Sequence, residues 1–228
     1  LQEAMRLFKL SAAQGNQHAQ HMVGCMYYEG EGVIQDLQEV LRLWKLSAAQ
    51  GFQHSQHSLG DMYYNGKGVT QDFQEAMRLF KLSATQGNQY AQRSLGWIYY
   101  HGEGVEIDYK EAIHFLKLSA TQGNQRAQYN LGAMYYKGEG VEIDYKEAMR
   151  LFKLSATQGN QYSQYMLGCM YYNDKGVTQD FQEAMRLFKL SATQGNQYAQ
   201  RSLGWIYYHG EGVEIDYKEA IHFLKLSA

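Results

Sequence analysis

The tetrapeptide Lys-Leu-Ser-Ala recurs every 36 residues, and no other feature of this sequence constrains its fold as strongly. It begins at Lys9, Lys45, Lys81, Lys117, Lys153, Lys189 and Lys225. The 228 residues therefore hold six full repeats and a partial seventh, which contains a first helix only. A period of about 20–50 residues is typical of solenoids and other repeat arrays. We predict one repeat domain over residues 1–228 and, since Leu1 is not an initiator Met, expect it to be a fragment of a longer array.

The sequence also has a second, longer period. Residues 62–120 match residues 170–228 at every position except one, where Gly66 is replaced by Asp174. The offset of 108 residues corresponds to three repeats. This identity indicates a recent duplication of a three-repeat block.

Each repeat is predicted to form two helices, because the chain has 23 Gly and no Pro. In the third repeat, Asp72 and Glu75 have the spacing of a capping box, in which each side chain satisfies a backbone donor of the first helix. Gly87 follows this helix and Asn88 is the expected N-cap of the second. The residues at helical spacing on the buried faces are Phe73, Ala76, Met77, Phe80 and Ala84 in the first helix and Ala91, Leu95, Ile98 and Tyr99 in the second.

The recurring glycine in the middle of each second helix predicts how the helices pack. Gly96 costs about 1 kcal/mol relative to Ala at such a position, so its presence indicates that two helices approach closely there. A single helix pair cannot bury these broad apolar faces, and successive pairs must therefore stack. The predicted fold is all-α: an α-solenoid (superhelix) of stacked antiparallel helix pairs in 36-residue repeats.

The positions that recur in every repeat resemble a known family. In the third repeat they are Ala76, Phe80, Ala84, Gly87, Ala91, Gln92, Leu95, Gly96, Tyr99, Gly102, Gly104, Val105 and Asp108. This pattern is similar to the Sel1-like repeat, a relative of the tetratricopeptide repeat, and the resemblance covers the whole chain. It implies a non-catalytic adaptor that binds other proteins, with the first helices lining an inner groove.

Composition and motifs indicate no catalytic site, cofactor or metal site. The 21 basic and 23 acidic residues give a net charge of −2, which argues against nucleic acid as a partner. No apolar run approaches the roughly 20 residues that span a membrane. The Gly-x-Gly loops follow a helix and lack the remainder of a phosphate-binding motif. Cys25 and Cys169 are predicted to be unpaired, unreactive thiols, and the sequence leaves localisation open.

Four histidines have a spacing that would suit a metal. His18 and His21 are three residues apart on one second helix, and His54 and His57 repeat this pair one unit later. Stacking could bring the pairs together as zinc ligands. No carboxylate or Cys recurs with them, so we expect polar surface side chains instead.

A row of basic residues follows the polar face of the first helices, and we call it the basic row. Its members are Arg6/Lys9, Arg42/Lys45, Arg78/Lys81, His114/Lys117, Arg150/Lys153, Arg186/Lys189 and His222/Lys225. The row could bind an extended acidic peptide, with Arg78, Lys81, Arg150 and Lys153 as candidate contacts. The alternative is a solvated face on which the basic side chains pair with neighbouring Glu and Asp.

A second row lies on the predicted outer face of the second helices, and we call it the aromatic row. Its candidate partner-binding residues are Tyr90, Arg93, Trp97, Tyr100, Tyr162, Tyr165, Tyr198, Arg201, Trp205 and Tyr208. Tyr, Trp and Arg are enriched at interaction hot spots. The alternative is that these side chains pack against the next repeat.

The function that the sequence favours is a scaffold that binds a protein or peptide partner. A second possibility is self-association of solenoids into fibres or arrays. A third is carbohydrate or peptide binding through the Tyr and Trp side chains.

Overall fold

The computed structural model describes residues 2–227, and this part of the chain forms thirteen α-helices and no strand. The helices are α1 (Gln2–Ala13), α2 (Gln17–Glu29), α3 (Leu37–Ala49), α4 (Gln53–Asn65), α5 (Phe73–Thr85), α6 (Gln89–His101), α7 (Tyr109–Thr121), α8 (Gln125–Lys137), α9 (Tyr145–Thr157), α10 (Gln161–Tyr172), α11 (Phe181–Ala192), α12 (Gln197–His209) and α13 (Tyr217–Leu226). Odd-numbered helices are the first helices of the repeats, and even-numbered helices are the second. The all-α prediction is confirmed.

The helices divide into two compact units, unit 1 up to Ser119 and unit 2 from Ala120 onward. Each unit has its own buried apolar clusters. In unit 1, one cluster is built around Phe80, Leu95 and Ile98. In unit 2, the equivalent cluster contains Phe188, Leu203 and Ile206. The single domain over residues 1–228 remains a prediction.

The first helices begin as predicted at an Asp, but only half of the capping box forms. The Asp72 carboxylate accepts hydrogen bonds of 3.0 Å from the backbone N–H groups of Gln74 and Glu75. The Asp72 N–H donates to the Tyr63 carbonyl oxygen at 2.9 Å. Because that donor is already satisfied, the Glu75 side chain is left to pair with Arg78 instead. The predicted return contact from Glu75 to Asp72 is therefore wrong.

The Ser of five Lys-Leu-Ser-Ala tetrapeptides ties one repeat to the repeat before it. The Ser83 hydroxyl is fully buried and donates to the Gln53 carbonyl oxygen at the start of α4, at 2.7 Å. The same bond recurs at 2.7–2.8 Å in four other repeats, from Ser47 to Gln17, Ser119 to Gln89, Ser155 to Gln125 and Ser191 to Gln161. It satisfies a carbonyl group in the first turn of α2, α4, α6, α8 and α10.

The close approach predicted at the mid-helix glycine is confirmed. A Cβ atom added to Gly96 would lie 2.6 Å from Leu116 Cγ, on the first helix of the next repeat. The buried faces also agree with the prediction, since Ala76, Phe80 and Leu95 are at most 1% exposed. The Tyr99 ring is half-buried and stacks on Phe115, with 5.9 Å between the ring centroids.

Candidate functional site

The basic row lies on the exposed faces of the first helices, and its arginines are paired within their own helix. The Arg78 guanidinium donates two hydrogen bonds to the Glu75 carboxylate, at 2.7 and 2.8 Å. Arg150 pairs with Glu147 in the same way, at 2.7 Å for both bonds. The other members with this pairing are Arg6 with Glu3, Arg42 with Glu39 and Arg186 with Glu183. Each of these arginines therefore already has a counter-charge, although exposed pairs of this kind are weak.

The lysines of the basic row contact aromatic rings of the second helices. Lys81 Nζ lies 5.9 Å from the centroid of the Tyr99 ring, and Lys189 Nζ lies 5.7 Å from the centroid of the Tyr207 ring. A cation at this distance is attracted by the face of the ring. Lys153 is exposed like its equivalents. Peptide binding along this row remains a prediction.

The basic row borders a groove whose apolar wall was not predicted from the sequence. In unit 1, a cavity of about 540 Å³ lies between α3 and α5, and Lys45, Arg78, Leu79 and Leu82 are among its lining residues. Leu82 is 42% exposed, although it belongs to the recurring tetrapeptide. The sequence did contain a signal for this wall, because Leu82 recurs on the helix face opposite Phe80. An apolar residue that recurs on a polar face indicates a surface that contacts something else.

The aromatic row in unit 1 lies on α6 and is partly exposed. Tyr90 is 50% and Trp97 38% exposed, while Arg93 and Tyr100 are half-buried. The Tyr90 ring packs against His57 of α4, with 5.9 Å between the centroids. This part of the row combines contact with the neighbouring second helix and exposure to solvent.

The aromatic row in unit 2 forms ring pairs between successive second helices. Tyr162 packs on Tyr129 at 5.8 Å, and Tyr165 packs on Tyr198 at 5.9 Å, measured between ring centroids. Tyr165 also contacts Phe188 of α11 at 5.7 Å. These contacts hold Tyr165 half-buried.

A cavity of about 440 Å³ lies in unit 2 between α10, α11 and α12. It brings together three residues of the aromatic row, Tyr165, Arg201 and Trp205, which are up to 40 positions apart in the sequence. Its other lining residues are Cys169, Tyr172, Asn173, Phe188, Ser202 and Ile206. Trp205 is 56% exposed. Tyr162, Tyr198 and Tyr208 belong to the row but do not line the cavity.

The polar groups around this cavity differ in whether they are already partnered. The Tyr172 hydroxyl donates a hydrogen bond to the Glu211 carboxylate, and burial is the main reason that the pKa of Tyr172 is raised to about 12. Burial also raises the pKa of the Cys169 thiol, which keeps it neutral. Within residues 2–227, no carboxylate forms an ion pair with Arg201. The cavity thus offers a charged donor beside aromatic walls.

Sequence reasoning missed Phe188, Ser202 and Asn173 as parts of this site. Phe188 has the repeat position of Phe80, which is predicted to be buried, and it is indeed only 2% exposed, yet it also lines the cavity. The sequence holds no signal for this, because the shape of a cavity depends on the packing of three helices. Ser202 is next to Arg201 in the sequence, and adjacent residues of a helix point in different directions. Its place in the cavity wall could therefore be predicted only if the orientation of α12 were known.

The four histidines do come together, but two of them are not surface residues. The rings of His21 and His54 lie 6.2 Å apart, and Phe52 packs against both His18 and His54. His21 is half-buried and the His57 side chain is only 16% exposed, so the surface assignment is wrong for these two. Burial lowers the pKa of each to about 4, with further lowering from neighbouring positive groups.

No group of three or more His, Cys, Asp or Glu side chains within residues 2–227 is arranged to hold a metal ion. Cys25 and Cys169 are both free thiols, and burial raises the pKa of Cys25 as well. No helix in this part of the chain is long and apolar enough to cross a membrane.

Paired helices repeating every 36 residues define an α-solenoid, and comparison with known proteins identifies the family. The Sel1 repeat family model matches residues 1–16, 17–52, 53–88, 89–124, 125–160, 161–196 and 197–228. This chain belongs to the Sel1 repeat family. Proteins built from these repeats are generally non-catalytic scaffolds for protein–protein interactions.

Solved structures of similar proteins agree with this assignment. The chain is 38% identical to a protective antigen of uropathogenic Escherichia coli with an SLR fold, at a TM-score of 0.89 over 98% of this chain and 48% of the antigen. It is 30% identical to a Sel1 repeat protein from Oxalobacter formigenes, at a TM-score of 0.87 over 95% of this chain and 86% of the other. The chain thus spans about half the length of the antigen. A comparison with curated proteins gives no match.

Proposed function

We propose that this chain is a non-catalytic scaffold that binds a partner protein through the aromatic row, with the unit 2 cavity as its anchor point. The observation that carries the proposal is the cavity of about 440 Å³ lined by Tyr165, Arg201 and Trp205. This volume lies in the range of sites that hold a small ligand or a side chain. Trp, Tyr and Arg are also the residue types that dominate the binding energy of protein interfaces.

The exposed indole of Trp205 supplies much of the expected binding energy. Trp205 is 56% exposed and its ring packs mainly on His209, with 4.1 Å between the centroids. Covering its remaining apolar surface would contribute roughly 25 cal/mol for each Å² that is removed from water. A partner that covers Trp205 would therefore be stabilised by burying apolar surface that is exposed to water in the free protein.

The cavity walls support binding because they are ordered by contacts within the protein. Tyr165 is held between Phe188 and Tyr198. Tyr172 is fixed by its hydrogen bond to Glu211 and by an edge contact with Phe181 at 5.5 Å. Side chains that are fixed before binding lose little conformational entropy when the partner arrives.

The test is a selection of partner peptides followed by measured affinities. A random peptide library displayed on phage is selected on the full chain, and the selected peptides are titrated calorimetrically. We expect Trp205→Ala to weaken their binding by about thirtyfold, the effect of losing a hot-spot residue. The matched control is Leu190→Ala, which removes a 42% exposed side chain from the first-helix surface. Peptides that bind both variants as tightly as the parent chain would reject the proposal, as would a selection that yields no binder.

Self-association and carbohydrate binding are the alternatives that the sequence leaves open. Light scattering over a wide concentration range tests the first, with the Trp97→Ala/Trp205→Ala variant alongside. A mass that grows with concentration and returns to that of one chain in the variant would favour self-association. Glycan-array binding that is lost in Trp97→Ala would favour a carbohydrate ligand.

A further inference from the structure

We propose that the unit 2 cavity binds the carboxylate of an acidic side chain on the partner protein, and that Arg201 is the residue that pairs with it. In unit 1 the chain itself supplies a carboxylate at the equivalent position, Asp61, whereas in unit 2 that position is Cys169. The inference rests on the proposed function, because it names the chemistry of the group that the cavity binds.

Every cavity residue has a counterpart 108 positions earlier in the sequence, and seven of these counterparts are identical. The pairs are Tyr64 and Tyr172, Asn65 and Asn173, Phe80 and Phe188, Arg93 and Arg201, Ser94 and Ser202, Trp97 and Trp205, and Ile98 and Ile206. Seven of the nine lining residues are thus identical in the two units. The other two differ, since Tyr165 replaces His57 and Cys169 replaces Asp61. Both differences lie on the second helix that faces the arginine.

In unit 1 the carboxylate of Asp61 lies next to His57 and within the field of Arg93. Asp61 Oδ2 is 3.5 Å from His57 Nε2. Burial raises the pKa of Asp61 to about 6, and the charge of Arg93 acts in the opposite direction. The arginine of unit 1 therefore has an acidic group of its own protein nearby.

In unit 2 this acidic group is missing. Cys169 is a neutral thiol within reach of the Tyr165 hydroxyl, and the Glu211 carboxylate is engaged by Tyr172. The contact that the structure gives Arg201 is with the Tyr198 ring, whose centroid lies 6.0 Å from the guanidinium carbon. A cation left without a counter-charge beside an open cavity is complementary to an anionic group from outside.

The rest of the cavity indicates which anion fits. Phe188, Ile206 and Trp205 give it an apolar floor and rim, and Ser202 and Asn173 add neutral polar groups. A guanidinium pairs best with a planar carboxylate, by two parallel hydrogen bonds. The matching partner segment places a Glu or Asp next to an aromatic residue, with the ring on Trp205 and the carboxylate on Arg201.

The experiment compares two isosteric peptides, acetyl-Phe-Glu amide and acetyl-Phe-Gln amide, by titration into the full chain with NMR detection of the Trp indole and Arg side-chain N–H signals. Sodium propionate serves as a third probe, to separate a protein side chain from a small free carboxylate. We expect the Glu peptide to bind at least about tenfold more tightly than the Gln peptide, because a charged hydrogen-bond partner is lost in the latter. We expect propionate to bind far more weakly than the Glu peptide.

Four variants locate the effect. Arg201→Gln is expected to bring the two affinities together. Cys169→Asp, which restores the acidic group of unit 1, is expected to weaken binding of the Glu peptide at least about tenfold by occupying Arg201 from within. Its matched control, Cys169→Ser, stays neutral and is expected to retain binding. His57→Tyr/Asp61→Cys transfers the unit 2 wall to unit 1 and is expected to raise the number of peptides bound per chain from one to two.

The outcomes separate this inference from the proposed function. Equal affinity for the Glu and Gln peptides, both still weakened by Trp205→Ala, overturns the carboxylate inference and leaves the proposed function in place. Binding that neither Trp205→Ala nor Arg201→Gln alters overturns both. Propionate binding as tightly as the Glu peptide overturns the assignment to a partner protein in favour of a small carboxylate. Absence of binding by either peptide at millimolar concentration also overturns the inference.

Discussion

Helix α4 in unit 1 and helix α10 in unit 2 differ at four positions. The helices that follow them, α5 to α7 and α11 to α13, have the same sequence in the two units. His54, His57, Ser58 and Asp61 of unit 1 correspond to Tyr162, Tyr165, Met166 and Cys169 of unit 2. Of these residues, His57 and Asp61 lie within the field of Arg93 in unit 1, whereas Tyr165 and Cys169 line the cavity beside Arg201 in unit 2. The replacement of Asp61 by Cys169 therefore decides whether the arginine has an acidic group of its own unit nearby.

This comparison separates the scaffold from its binding surface. The residues that hold the repeats together, such as Phe80 and Phe188 or Ser83 and Ser191, are the same in both units and equally buried. The residues that differ lie on α4 and α10, and the ring contact with the buried Phe is kept in both units, from His57 to Phe80 and from Tyr165 to Phe188, at 5.7 Å between ring centroids. A repeat array can therefore change what it binds while the packing of its helices stays constant.

The largest effect is expected at the buried phenylalanine that both units share. Phe80→Ala and Phe188→Ala each remove a ring that is at most 2% exposed, and each should lower the free energy of unfolding by about 3–5 kcal/mol. Chemical denaturation of the two variants checks this. A loss below about 1 kcal/mol for Phe188→Ala alone would show that its ring belongs to a loose cavity wall, and the packing of the two phenylalanines would then differ.

The next effect is a pH dependence that arises from His57, whose place in unit 2 is taken by Tyr165. The pKa of His57 is lowered by burial to about 4 from its usual 6.5, so His57 favours the folded state when neutral, and its contribution is lost as the pH falls from about 6.5 to 4. We expect His57→Tyr to lose less stability than the parent chain over this pH range, by at most about 3 kcal/mol. Thermal or chemical unfolding at a series of pH values measures it.

Asp61 is expected to change the stability in the opposite direction over a similar pH range, and it therefore serves as a control for the His57 prediction. Its pKa is raised mainly by burial, from 3.8 to about 6, so its contribution to stability falls as the pH rises between these values. Asp61→Cys is therefore expected to gain stability relative to the parent chain as the pH rises from 4 to 6, opposite to the effect of His57. Parallel pH profiles for both variants would contradict the assignment of these two groups.

A smaller effect is expected where the helices approach most closely. A Cβ atom at Gly60 would lie 2.7 Å from Phe80 Cε1, and one at Gly168 would lie 2.6 Å from Phe188 Cε1. Gly60→Ala and Gly168→Ala should each cost about 1–3 kcal/mol, because a packed ring has to move. The measurement is the denaturant midpoint. Ala at Gly15, where nothing lies within 4 Å, is the spatial control, although its positive φ adds some strain.

The smallest effect concerns the one difference inside the duplicated block. Asp174 has a φ of +56°, in the left-handed region where its counterpart Gly66 has a φ of +65°. Asp174→Gly should relieve strain but loses the hydrogen bond from the Gln179 N–H to the Asp174 carboxylate, at 3.1 Å. We expect a net gain of less than about 1 kcal/mol in the free energy of unfolding. A loss of stability would mean that the hydrogen bond outweighs the backbone strain.

Much of the fold follows from the sequence because its signals are local and recur in every repeat. Asp72 begins a helix wherever its spacing occurs, since the carboxylate needs only the two backbone donors that follow it. Gly96 marks a close helix contact because a side chain there would collide with Leu116. The absence of the return contact from Glu75 to Asp72 could not be predicted. Arg78 engages the Glu75 carboxylate, and the Tyr63 carbonyl oxygen accepts from the Asp72 N–H.

The sequence by itself determined the helix pairs, their period and the residue types along the aromatic row. Only the tertiary structure decided which of these residues meet, because Tyr165, Phe188 and Trp205 come from three helices whose relative positions depend on packing. It also decided that His57 is buried and that Arg201 has no carboxylate partner within residues 2–227. The burial and the charge pairing of a side chain depend on all the atoms around it. Many of those atoms belong to residues that are distant in the sequence.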